Sequence, residues 1–131
     1  SISACCNISD CYFSIGDLKN AKKYCCKSFQ YDLPRSEACC KLGFLFLQEN
    51  KVKEAIFWYE LSTKLKRPDN HWALYHEPSW TWLPHLQLCV CYDKLGDHKT
   101  AYEHNEIARK YNPNNESILY NQGYFKDLGY E

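Results

Sequence analysis

The chain has 131 residues, enough for one domain with a real core, and its 16 basic and 16 acidic residues cancel. A zero balance with 24% charged residues argues against a generic nucleic-acid or membrane-surface binder. No apolar run approaches the length of a membrane span.

The opening, SISACCNISD, lacks the basic start and apolar run of a signal peptide. The chain has no methionine and begins inside a helical pattern, so it reads as a segment of a longer protein. Nine cysteines are an odd number, and six of them form the adjacent pairs Cys5-Cys6, Cys25-Cys26 and Cys39-Cys40. Neighbours on a helix point about 100° apart, which makes a poor local disulfide. Cysteines used as small apolar residues, with free thiols in a reducing cytoplasm, is the expectation.

In chain order, helices are predicted over about 2–15 and 18–32, then 35–49 and 52–66, then 80–95 and 98–111. Gly16 and Gly96 suit the left-handed residue that ends a helix, and Asn50 is the best substitute for glycine there. Asp17 and Asp97 then cap the following helices, whereas Lys51 is a poor cap and marks the weakest turn. Pro34, Pro68 and Pro113 close each helix pair. A last helix over about 116–127 covers the open end. Asn105 interrupts an apolar stripe, where its counterparts are Cys25 and Tyr59, and only a local hydrogen bond suggests itself.

These elements repeat. Ala21 and Ala55, Ser28 and Ser62, and Pro34 and Pro68 are each 34 residues apart. Gly96, Ala101, Ala108 and Pro113 continue the series after an excess of about twelve residues. The excess is an insert, roughly 69–79, at the head of the stretch HWALYHEPSWTWLPH. The small residues Ala21, Ala55 and Ala101 mark where two helices of a unit cross. No single pair can bury its stripe alone, so stacked pairs must share one core.

The period of 34, the Gly/Asn turn, the small crossing residues and the closing proline resemble the tetratricopeptide repeat. The resemblance implies an all-α fold: an α-solenoid of three helix pairs plus a C-terminal capping helix. The units would be 1–34, 35–68 and 80–113, with the insert at 69–79 and the cap at 114–131. It further implies a concave groove lined by first helices that binds a protein or peptide, with no catalytic residue and no cofactor. Carried over by spacing, the groove residues are Cys6, Asn7, Asp10 and Phe13, then Cys40, Lys41, Phe44 and Gln48. The third helix pair adds Leu86, Gln87, Val90, Asp93 and Lys94, and the tail adds Tyr120, Asn121 and Tyr124. The positions where one subgroup clamps a peptide carboxylate hold Cys6, Asp10, Leu83 and Gln87, which argues against that clamp. Lys19, Lys22, Lys23 and Lys27 belong to a second helix and read as solvated.

Trp72, His76, Trp80, Trp82 and His85, in and around the insert, are candidates for ligand contact or for packing into the gap between the second and third units. Pro84 has no N–H and belongs in the first turn of its helix, which places the start near Ser79–Trp80 with Ser79 as cap. His85 and Cys89 are four apart, a spacing that can hold a metal, with His71 or His76 as a third ligand. No CxxC or HExxH supports such a site, and the reading is no metal.

The blocks ACCKLG, EAIFWYEL and WTWLPHLQLCVCYD also resemble the C-terminal tetratricopeptide segment of bacterial, inverting, nucleotide-sugar-dependent glycosyltransferases. That resemblance implies a module that holds an acceptor or mediates self-association, so homo-oligomerisation stays open. The chain has no Asp-x-Asp, so no catalytic residue carries over. The alternatives are a stand-alone adaptor with no enzymatic parent and a Cys/His metal-binding module.

Overall fold

The amphipathic stripes fold as helices, with no strand among the described residues, which in this computed structural model are 2–31, 35–67 and 75–131. They are α1 (Ile2–Ser14), α2 (Leu18–Lys27), α3 (Ser36–Gln48), α4 (Val52–Lys64), α5 (Glu77–Trp80), α6 (Leu83–Lys94), α7 (His98–Tyr111) and α8 (Glu116–Asp127). Helices α1 and α2, α3 and α4, and α6 and α7 form hairpins. The hairpins stack through α2 on α3 and α4 on α6, and α8 lies on α7. The fold is an α-solenoid of three helix pairs with a C-terminal helix.

The turns inside the hairpins follow their sequences. Gly16, Asn50 and Gly96 have φ of 80°, 58° and 84°, the left-handed region that stops a helix. After Gly16, Asp17 accepts from the Asn20 N–H at 3.1 Å. After Gly96, Asp97 accepts from the Thr100 N–H at 3.2 Å. These bonds hold both carboxyls below the usual carboxylate range. Lys51 makes no such side-chain bond.

Two second helices end earlier than their patterns suggest. α2 does not run on to 32: it tightens into a 3₁₀ turn over Ser28–Gln30, with the Ser28 hydroxyl donating to the Cys25 carbonyl at 2.7 Å. α4 stops at Lys64 because Leu65 is extended, and Ser62 donates in the same way to the Tyr59 carbonyl at 3.0 Å. The serines 34 residues apart are therefore buried caps for helix carbonyls. Pro34 and Pro68 lie outside the described residues.

The start of the fifth predicted helix needs correction. It is two helices, α5 and α6, broken at Thr81 with φ −128° and ψ −92°. A continuous helix would aim the absent N–H of Pro84 at the Trp80 carbonyl. The break puts Pro84 in the first turn of α6 and Pro78 in the first turn of α5. Ser79 is thus no cap. It is buried in α5, and its carbonyl accepts from the Cys40 thiol at 3.8 Å.

Ala21, Ala55 and Ala101 are fully buried at the crossings, as their size suggests. Gly43 is a further close approach: a Cβ there would lie 2.7 Å from the Tyr59 ring, which is itself 1% exposed. Tyr59, Leu88 and Cys91 share a core with Cys40 and Ala55, so the second and third hairpins pack as one body. Burying each large apolar side chain contributes about 1.5–3 kcal/mol. All nine cysteines are free. Burial pushes the Cys25, Cys39 and Cys89 thiols up to about 12, and those of Cys40 and Cys91 to about 11. These thiols pack rather than react.

Asn105 does more than make a local bond. It is 1% exposed, its amide donates to the Ile118 carbonyl of α8 at 3.1 Å, and it accepts from the Asn121 amide at 3.2 Å. Lys22 is not merely solvated either. It pairs with Glu49 at the end of α3 and lies 4.6 Å from the Phe46 ring centroid.

Candidate groove and its wall

One cavity of about 350 Å³ opens between the first helices α1, α3 and α6, with α5 at its edge. The spacing of the first helices places one residue per turn on this side. Asp10 and Phe13 come from α1, Lys41 and Phe44 from α3, and Leu83 and Gln87 from α6. His76 and Ser79 close the side nearest α5.

The cavity joins an apolar floor to a polar lip. Phe13 and Phe44 meet edge to face, with centroids 5.2 Å apart. Both remain more than a third exposed, so a partner's apolar side chain can reach them. Lys41 Nζ donates to Asp10 at 2.7 Å and to the Cys6 carbonyl at 3.5 Å, which ties α3 to α1 beside the rings. Glu37 also lines the cavity; its Oε1 lies 4.0 Å from Arg35 Nε, and its Oε2 is buried with no hydrogen-bond partner among the described residues. His76 Nδ1 lies 2.7 Å from the Ser79 hydroxyl, which fixes the ring at the rim.

Other residues expected in the groove lie elsewhere. Asn7 and Gln48 are exposed on α1 and α3 but do not line the cavity. Asp93 accepts from the Tyr124 hydroxyl at 3.1 Å and pairs with His98 Nδ1 at 2.6 Å, so it links α6, α7 and α8. Lys94 sits at the turn edge with Asn50, Lys51 and Glu54. Leu86, Gln87, Val90, Tyr120 and Asn121 line a second, shallower cavity between α6 and α8, and Gln87 borders both.

The aromatic residues after the insert divide by role. Trp82 packs on Leu86, Ala108 and Ile118, inside the third hairpin and against α8. Between the second and third units, α5 packs on α3, α4 and α6, with Ser79 against Cys40. Trp80 meets Tyr75 edge to face at 5.9 Å and buries its indole N–H without an acceptor among the described residues. Trp72 lies outside the described residues, as does His71. His85 turns toward His104, with Nδ1 atoms 3.0 Å apart. Cys89 instead packs with Ala101 and Phe125. Among the described residues no group of three or more His, Cys, Asp or Glu could hold a metal ion. Among them, too, no helix is long and apolar enough to cross a membrane.

His104 and Glu37 had no distinguishing mark in the sequence. His104 sits at a position its repeat partners do not share, and only the packing of α7 on α6 brings it to His85. Glu37 is one of many acidic residues near a helix start.

A family model described as tetratricopeptide repeat matches residues 2–33 and 36–69, about half of the chain. No curated protein sequence matches. Among solved structures the chain is similar to one titled "Crystal structure of MamA", with TM-score 0.65 and 18% identity over 86% of this chain. The chain spans 59% of the length of that structure. Identity this low shows a shared fold alone. With the hairpin turns, the buried small residues at the crossings and the matched repeats in agreement, the chain belongs to the tetratricopeptide repeat family.

Proposed function

We propose that this module binds a protein partner by holding an extended peptide segment across α1, α3 and α6. The cavity at Phe13 and Phe44 carries the reading, because it pairs a half-exposed aromatic floor with polar groups on three successive first helices. An apolar side chain of the segment would enter against the two rings. Its backbone would meet Gln87, whose amide both donates and accepts. The module itself performs no chemistry in this reading. Its free thiols suit a reducing compartment such as the cytoplasm.

A peptide array screened with the purified chain tests the assignment. Segments with an apolar anchor should bind, and Phe44→Ala with Gln87→Ala should weaken them at least about tenfold, roughly 1.4 kcal/mol. Gln48→Ala, outside the cavity, should leave them unchanged. Equal affinity for wild type and the double variant would remove the groove from the account.

The finer reading, a C-terminal module of a bacterial glycosyltransferase that holds the acceptor or self-associates, rests on the sequence blocks quoted above. A nucleotide-sugar domain encoded upstream of Ser1 would support it. A parent gene without one leaves the stand-alone adaptor.

A further inference from the structure

Three helices meet at a histidine pair that the groove does not use. His85 of α6 and His104 of α7 bring their Nδ1 atoms to 3.0 Å. Their ring centroids are 5.2 Å apart and their planes 28° from parallel. That centroid separation is close to the maximum that the nitrogen distance plus two ring radii allows. The rings therefore meet edge to edge, nitrogen to nitrogen, rather than face on face. On its far side His104 Nε2 faces Glu60 Oε1 of α4 at 3.6 Å. The same oxygen accepts from the Tyr92 hydroxyl at 3.1 Å, and the Tyr92 ring lies parallel to His104.

Two neutral imidazoles at this distance share one proton, so one Nδ1 donates and the other accepts. Glu60 decides which. A bare His104 Nε2 would present its lone pair to a carboxylate, whereas an N–H is attracted there. His104 therefore carries its proton on Nε2 and accepts at Nδ1, and His85 donates from Nδ1. We propose that this pair is an acid-sensitive latch on the junction of α4, α6 and α7, closed while His104 Nδ1 is bare and opened when acid protonates it. Two N–H groups would then face each other at hydrogen-bond distance, and a cationic His104 ring would sit in a half-buried site. A zinc ion suits the geometry poorly, because both lone pairs would have to converge on it at about 2.0–2.1 Å, and here they lie along one line.

The charges around the pair oppose each other. Burial disfavours both cationic rings, and His104 further disfavours a charge on His85, while Glu60 of α4 favours a charge on either ring and Glu103 of α7 favours one on His104. Burial wins: His85 is pushed down to about 4 and His104 is lowered as well. Between the ordinary histidine value of about 6.5 and about 4, the folded pair binds fewer protons than the unfolded chain. The stability it contributes is therefore whole above that window and is lost as pH falls through it. His85 lies between Leu83 and Gln87, so the latch backs the groove wall.

Nitrogen NMR of the imidazoles in the unaltered chain tests the assignment directly. At pH 7.5 His85 should show the Nδ1–H tautomer and His104 the Nε2–H tautomer. Urea midpoints at pH 7.5 and 5.0 test the consequence. The wild-type midpoint should fall with acid, and His85→Phe with His104→Phe should remove at least half of that fall, since the other histidines remain in both proteins. Should the double variant not fold, His104→Gln keeps an acceptor for His85 that does not titrate, and the same reduction is expected. Both rings as Nε2–H tautomers, an undiminished acid fall in the variants, or stoichiometric zinc held at the pair would overturn the latch.

Discussion

The joint between α2 and α3 and the joint between α7 and α8 have the same design and different strengths. At the first, the Cys25 thiol donates to the Ala38 carbonyl at 3.5 Å. At the second, the Asn105 amide donates to the Ile118 carbonyl at 3.1 Å. Both reach thirteen residues ahead, from the same position of a second helix to the third residue of the next helix. A thiol is a weak donor, and an amide is a strong one that also accepts, here from Asn121. Between the first two hairpins, packing of Cys25 with Ala38 and Leu42 dominates and the bond is secondary. At the C-terminal helix, which is covered on one side only, the polar bond takes a larger share. The apparent flaw in the stripe is a fastening.

Four substitutions break or sharpen this contrast. Phe125→Ala removes the ring that anchors α8, 1% exposed, and should cost about 3–5 kcal/mol by urea denaturation. Asn105→Ala removes the bonds to the Ile118 carbonyl and from the Asn121 amide, leaving that amide the Cys89 sulfur at 3.9 Å, and should cost about 2 kcal/mol, with faster hydrogen exchange confined to α8. An effect no larger than that of Cys25→Ala would dissolve the contrast. Cys25→Ala itself should cost about 1 kcal/mol, since it loses a weak bond and little volume. Lys51→Asp supplies the missing cap at the middle turn and should add about 0.5 kcal/mol, partly offset by the lost pair with Glu49. A loss of stability there would show that the turn needs Lys51 for its charge.

The repeat and its turns were legible in the sequence because their signals are local. A left-handed turn selects Gly or Asn, a free N–H selects Asp, and a crossing selects Ala, so Gly16, Asp17 and Ala21 could be read without knowing their neighbours. What depended on neighbours could not be read. Pro84 pointed to a helix start near Ser79, but α6 starts at Leu83, and the short α5 before it depends on Ser79 meeting Cys40. Phe13, Phe44 and Lys41 could be assigned to one face because helical spacing fixes a face. Lys94, by contrast, ends α6 and lies beside Asn50, Lys51 and Glu54, which spacing from the turn could not show. The histidine pair was half visible. His85 stood out beside Cys89, but its true partner is on another helix, and no spacing rule connects 85 to 104.

The cysteines have one more consequence. Cys11 and Cys26 are exposed, while Cys39 and Cys40 are sealed in the second hairpin and Cys89 and Cys91 in the third. A thiol reagent applied to the folded protein therefore marks the first hairpin at once and the others only as fast as they open. The order in which the later labels arrive gives the order in which the hairpins come apart, with no probe added to the chain.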